Sequence, residues 1–229
     1  MQIRSDFSQR AVLLPGEEQF VASPLPGVDR LMLDRVGGEV ARATSIVRYA
    51  AGSSFSAHVH DEGEEFLVLE GTFADGHGTY PTGTYVRNPP GSRHAPSSPG
   101  GCTLFVKLRQ FDPADTIRIV IDTASATWHP GRVPGLSVLP LHEFGREHIA
   151  LERWAPGTPF QPHTHHGGEE TLVLEGSFQD EHGTYPKGSW LRSPHLSRHH
   201  PYTEEKCTIY VKTGHLDSYV IYHSPPSSH

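Results

Sequence analysis

The stretch HVHDEGEEFLVLEG, from His58 to Gly71, sets two imidazoles one residue apart and then a carboxylate. A near copy, HTHHGGEETLVLEG, runs from His163 to Gly176. Side chains alternate faces along a strand, so residues i and i+2 share a face. His58 and His60 therefore point the same way, and so do His163 and His165. Glu64 and Glu169 come after a three-residue connection containing glycine, where strand parity no longer applies. Each copy supplies one later imidazole, His94 in PPGSRHAP and His199 in PHLSRHHP, which reaches the others only through the fold. Three imidazoles and a carboxylate suit a divalent first-row metal: imidazole takes Zn, Fe, Ni or Cu, and the carboxylate neutralises charge. A lone HxH pair reads as surface histidine. The same pattern recurring in register predicts two metal sites per chain, on His58, His60, Glu64 and His94, and on His163, His165, Glu169 and His199.

Residues 52–107 align with 157–212 without a gap, and roughly half the positions are identical. Upstream, LPGVDRLML and VPGLSVLPL correspond with a small shift. The chain therefore reads as a duplicated domain, 1–115 and 116–229; a solenoid needs three or more repeats. Within each copy the apolar runs are short and β-like: ATSIVRYA, EFLVLEG, GTYVRN and CTLFVKL, separated by Gly, Pro, Asp and Ser turns. No helical period is sustained, and DPADTIRI is the one stretch where a helix could sit. Short, evenly spaced strands predict an all-β sandwich or small barrel, which suits 23 Gly and 20 Pro in 229 residues.

A formal net charge of −7 with no basic stripe argues against nucleic-acid binding, which needs clustered Lys and Arg against phosphate. No apolar run approaches the roughly 20 residues of a membrane span, and the first 20 residues lack a signal-peptide core. A cytoplasmic chain is expected. Cys102 and Cys207 make no disulfide framework; as matching, β-flanked residues they read as small apolar packing, with a redox role as the alternative.

Other recurring residues have bland readings. Glu65 and Glu170, beside the proposed ligands, are expected to face solvent. His166, His195 and His200 occur in one copy only and read as loop residues, while His77 and His182 read as hairpin tips beside Gly and Pro. Phe73 and Phe178, Tyr80 and Tyr185, Tyr85 and Trp190 read as core or rim aromatics. Arg87, Arg192, Arg93 and Arg198 read as partners of the many carboxylates, with an anionic ligand as the alternative.

These motifs resemble the cupin family. Its first motif, G-x5-HxH-x3-E-x6-G, is met by Gly52, His58, His60, Glu64 and Gly71, and again by Gly157, His163, His165, Glu169 and Gly176. Of its second motif, G-x5-P-x-G-x2-H-x3-N, the first copy has Gly83, Pro89, Gly91 and His94, with Ser98 in place of Asn. The second copy has Gly188, Pro194 and His199, with Leu196 in place of Gly and Thr203 in place of Asn. The resemblance implies tandem jelly-roll (double-stranded β-helix) barrels, a bicupin. Within cupins, SPLPGVDRLML, the His58 stretch and CTLFVK resemble the cupin-like domain of the ChrR anti-sigma factors. That resemblance implies zinc on three His and one Glu, in a system responding to singlet oxygen and organic peroxides. The family's sigma inhibition sits in a separate N-terminal helical domain with an HxxxCxxC element. The first 50 residues here hold no His and no Cys, so direct sigma-factor binding is not expected. The expected function is a zinc-binding, sensor-like module. The alternative is an Fe- or Mn-dependent dioxygenase acting on a small organic molecule in the barrel, and nickel is a further candidate metal. A monomer and a homodimer both suit two cupin units in one chain.

Overall fold

A computed structural model describes residues 1–216; residues 217–229, the end of the second expected domain, lie outside the described residues. Every regular element among the described residues is a strand. The DPADTIRI stretch holds no helix, and its end enters the strand Ile119–Asp122.

By spatial contact the chain forms two compact units: Met1–Ser5 with Glu18–Ala126, and Asp6–Glu17 with residues 127 onward. The sequence repeat divides at 115/116, but hydrogen bonding groups two short segments differently. Ile119–Asp122 pairs with Thr84–Asn88 in the first unit, and Ala11–Leu13 pairs with Trp190–Ser193 in the second. Each supplies an edge strand that the repeat itself leaves out.

In the first unit the main sheet runs Gln2–Ile3, Val28–Gly37, Ala41–Tyr49, Cys102–Leu108, Glu64–Asp75, Thr84–Asn88, Ile119–Asp122, antiparallel throughout. The second unit runs His129–Pro130, Leu136–Phe144, Glu147–Trp154, Cys207–Thr213, Glu169–Glu175, Trp190–Ser193, Ala11–Leu13, with His129–Pro130 pairing as Val21–Ala22 does on Val28–Gly37 in the first. Short two-stranded antiparallel ladders complete each barrel, among them His58–His60 with Ser92–His94, and His163–His165 with Ser197–His199.

The interior is the set of alternating positions the strand period dictates. Val47, Leu104 and Val68 lie opposite one another across three strands, and all join a buried cluster with Phe66, Phe73, Tyr80, Val86 and Cys102. Leu136, Trp154, Val173, Phe178, Tyr185, Leu191, Cys207 and Ile209 form the matching cluster in the second unit. Each large apolar side chain so buried contributes about 1.5–3 kcal/mol. The repeated aromatics are core residues, as are Tyr85 and Trp190.

The opposite face of the sheet corrects one expectation. Glu65 and Glu170 do not face solvent; they are 1% and 0% exposed. The reason is cross-strand register. Glu65 has Arg87 opposite it on one side and Lys107 on the other, and Glu170 has Arg192 and Lys212. A buried carboxylate persists only with such partners. Arg87 donates to Glu65 and to Asp115, and Tyr85 donates to Glu65 at 3.0 Å. Phe111 covers the Arg87 guanidinium at 3.8 Å. Arg87 is thus a partner of carboxylates, as its recurrence suggested, whereas Arg93 and Arg198 are exposed.

The turn that precedes His94 and His199 survives the loss of its glycine. Gly91 has φ +81° and Leu196 φ +63°, and each donates its N–H to the equivalent carbonyl, His60 at 2.8 Å and His165 at 2.9 Å. A non-glycine residue there is strained by about 1–2 kcal/mol. Leu196 is also 56% exposed, so no packing offsets the strain. Leu196→Gly is therefore expected to stabilise the protein by about 0.5–1 kcal/mol, after glycine's larger unfolded-state entropy is subtracted. The urea midpoint should rise; an unchanged or lowered midpoint would show that Leu196 rests in that turn without strain.

Candidate metal centres

Strand pairing explains why the distant histidine joins the HxH pair. Residues directly opposite in an antiparallel ladder share a face. His94 lies opposite His58, and His199 opposite His163. The ring centroids of His58, His60 and His94 are 4.7, 5.0 and 4.8 Å apart. Those of His163, His165 and His199 are 4.5, 4.8 and 4.8 Å apart. In both barrels the Nε2 atoms of the second and third histidines face each other at 2.9 Å.

The carboxylate arrives through the turn that strand parity could not resolve. Gly63 and Gly168 sit there at φ +80° and +73°. A Cβ on Gly63 would meet the Phe111 ring at 2.5 Å, and one on Gly168 would meet Leu216 at 2.5 Å, so only glycine fits. Glu169 Oε2 lies 3.3 Å from His165 Nε2, and its Oε1 lies 3.8 Å from His199 Nε2. Donor atoms of His163, His165, Glu169 and His199 all lie within 4.8 Å of one another. In the first barrel His58, His60 and His94 group in this way, and Glu64 Oε2 sits 3.5 Å from His60 and 3.6 Å from His94. There Asn88 donates to Glu64 at 3.3 Å; the second copy has Ser193 at that position. This hydrogen bond distinguishes how the two carboxylates are held.

Outer partners aim the rings. His58 and His163 place Nδ1 3.2 and 2.9 Å from the carbonyls of Ser56 and Gln161. His94 Nδ1 faces Asp75 Oδ2 at 3.1 Å, and His199 Nδ1 faces Asp180 Oδ2 at 3.7 Å. A carboxylate at Nδ1 fixes the tautomer and leaves the Nε2 lone pair inward. Tyr80 and Tyr185 donate to the same aspartates at 3.0 and 2.7 Å. Sequence reading passed over Asp75 and Asp180, although they recur in register one turn before GTYP.

Burial sets the protonation of these rings. It pushes His60 down to about 4, with the His58 charge next. His94, His163 and His165 are also lowered by burial. His199 moves up, because Asp180, Glu169 and Glu181 together outweigh its burial. Burial raises Glu64.

The donor set fits a metal ion. Bonds of about 2.0–2.1 Å place neighbouring donors about 2.9–3.4 Å apart; the facing Nε2 atoms at 2.9 Å and the Glu169–His165 contact at 3.3 Å fall in that range, and the other carboxylate contacts, at 3.5–3.8 Å, lie just beyond it. The lowered pKa values of His60, His94, His163 and His165 leave those four rings neutral, with no proton to release before ligating.

Other residues follow their bland readings. His77 and His182 occupy hairpin turns held by Asp75 and Asp180. His166, His195 and His200 lie outside the strands, and His195 accepts the Gly167 N–H at 2.8 Å. Cys102 and Cys207 are buried and free, and burial holds both thiols protonated, Cys207 up to about 12, which favours packing over redox chemistry.

Comparison with solved structures shows the fold. A putative dioxygenase from Nostoc punctiforme matches with TM-score 0.75 and 14% identity over 91% of this chain and 84% of its own. A bacterial pirin from Escherichia coli in complex with nickel(II) matches with TM-score 0.64 and 14% identity over 90% and 98%. An oxalate decarboxylase from Lactobacillus farciminis, in a formate complex, matches with TM-score 0.61 and 11% identity over 93% and 90%. No curated protein matches the chain. The family model described as the ChrR cupin-like domain matches residues 8–112 and again 116–217. The chain is a bicupin and belongs to the ChrR cupin-like family, whose domain it carries twice.

Proposed function

We propose that each barrel holds one divalent metal ion, on His58, His60, Glu64 and His94 and on His163, His165, Glu169 and His199, and that the metal is zinc. The observation that carries this reading is the convergence of three imidazoles in both units, with facing Nε2 atoms at 2.9 Å; Glu169 belongs to the second group, and Glu64 lies 3.5 Å from His60 in the first. Bound zinc would supply a fixed positive charge and an acceptor for a small ligand. The protein then acts as a sensor-like module of the ChrR type. In this reading direct inhibition of a sigma factor is not assigned to the chain. The chain is placed in the cytoplasm, in keeping with two free cysteines. Among the described residues no helix is long and apolar enough to cross a membrane.

A second reading, an iron- or manganese-dependent dioxygenase, draws on one feature of the first group. His58 is exposed while His94 is buried, so that group is open on one side. Open positions suit catalytic rather than structural metal sites. The likeness to a putative dioxygenase supports the same reading.

Elemental analysis of protein purified without added metal separates the two. About two zinc ions per chain are expected. Iron or manganese in that amount, together with oxygen uptake, would replace the zinc reading with the oxygenase. Absence of metal even after reconstitution would sink both.

A further inference from the structure

The two barrels share a donor set but differ beside it. In the second unit, Glu152 lies opposite Ile209 on one neighbouring strand and Val138 on the other; Ile209 is a core residue and Val138 packs against the core. Glu152 therefore points inward. The register of the repeat puts Val47 at the same place in the first unit, within the apolar cluster. Two residues on, Trp154 replaces Tyr49. The two changes are coupled, because the indole N–H of Trp154 donates to Glu152 Oε2 at 3.1 Å.

Trp154 links this carboxylate to the metal-ligating candidates. Its ring lies 5.9 Å from Phe160, which lies 5.0 Å from His163. It also lies 5.7 Å from Phe178, which lies 6.3 Å from His199. Burial, with the Glu169 charge next, pushes Glu152 up to about 7, and His199 and Arg132 pull it the other way. Both ring paths from the indole that holds Glu152 end on histidines of the second group, so the carboxylate and those histidines share one barrel interior. A carboxylate that served only as an acceptor for Trp154 would be a costly choice at a half-buried, inward-facing position, where any polar atom able to accept would suffice.

We infer that Glu152 decides which ligands reach the second metal position: its carboxylate disfavours small anions there and favours ligands that donate hydrogen bonds or carry positive charge. The first position, beside Val47, has no such filter. The two sites of one chain therefore handle ligands of different charge. This inference rests on the metal-binding reading above. It treats Glu152 as a specificity-determining residue and not as a ligand of the ion.

The test uses cobalt(II)-loaded full-length protein and azide as the anionic probe, at about pH 8, where Glu152 is ionised. His165→Ala leaves the first site to be read, and His60→Ala leaves the second, each through the visible absorption of cobalt. Azide is expected to bind the first site about tenfold more tightly, as one like charge at close range implies. In the His60→Ala background, Glu152→Gln keeps an acceptor for the indole and removes the charge. It should raise azide affinity about tenfold, and Glu152→Val should do the same. In the His165→Ala background, Val47→Glu should lower it by a similar factor. Arg132 acts on the second site alone, so its attraction for azide cancels between variants read at that site, and the Glu152→Gln comparison in the His60→Ala background decides the test. With cobalt bound, second-site affinity that stays within about twofold after Glu152→Gln overturns this inference alone and leaves Glu152 as an acceptor for Trp154. Failure of unaltered protein to bind cobalt overturns the metal reading and the inference together.

Discussion

Replacing Asp75 with asparagine is expected to weaken metal binding at the first site by about 10- to 100-fold, while the second site keeps its metal. Asp75 has two jobs. One oxygen, Oδ1, accepts the backbone N–H groups of His77 and Gly78 and the Tyr80 hydroxyl, which fixes the hairpin. The other, Oδ2, faces His94 Nδ1 at 3.1 Å. Asparagine can keep the first job by leaving its carbonyl on the hairpin. It then turns an amide N–H toward His94 Nδ1, which must become an acceptor, so the ring proton moves to Nε2. That atom faces His60 Nε2 at 2.9 Å, where the ion is proposed to bind. A protonated Nε2 offers no lone pair to a metal. His94→Ala should go further and lower the metal content by one ion per chain, as should His60→Ala. The measurement is metal titration with stoichiometry counted per chain. If Asp75→Asn bound metal as tightly as the unaltered protein, the role given to Asp75 would be wrong; if His60→Ala still held two ions, the ligand set would be wrong.

Arg87→Met is expected to cost about 3–5 kcal/mol, a large part of the stability of a typical domain. Arg87 is 1% exposed and donates to both Glu65 and Asp115, which are 1% exposed themselves. Methionine fills much of the volume but leaves two carboxylates close together, away from water and without their shared cation. The expected result is a lower urea midpoint with an unchanged slope. Lys187→Met serves as the comparison, because Lys187 is exposed and its change should stay within about 0.5 kcal/mol. A cost below about 1 kcal/mol for Arg87→Met would mean that the carboxylates find other cations, and the Glu65–Arg87–Asp115 trio would lose its place in the account of stability.

Much of the site was legible because its logic is local. Period-two alternation places His58 beside His60 and His163 beside His165 before any fold is known. The repeat announces two units, and the same spacing in both copies picks out His94, His199, Glu64 and Glu169, which the fold draws toward those pairs. What alternation cannot say is whether the opposite face of a strand meets solvent. Glu65 and Glu170 were therefore misread, since each is buried by cations on neighbouring strands far along the chain. Asp75, Asp180 and Glu152 escaped for a related reason: an acidic residue in a turn or on a strand looks the same whether it meets water or an imidazole. Ala11–Leu13 joins the second unit because Trp190–Ser193 offers an edge with free hydrogen-bonding groups, and no feature of AVL announces that partner. The sequence by itself determined the strands, the duplication and which side chains could act together, because those follow from covalent spacing. The tertiary structure alone decided which carboxylates are buried, which cations they meet and which of them face an imidazole, because those depend on contacts between residues distant in the chain.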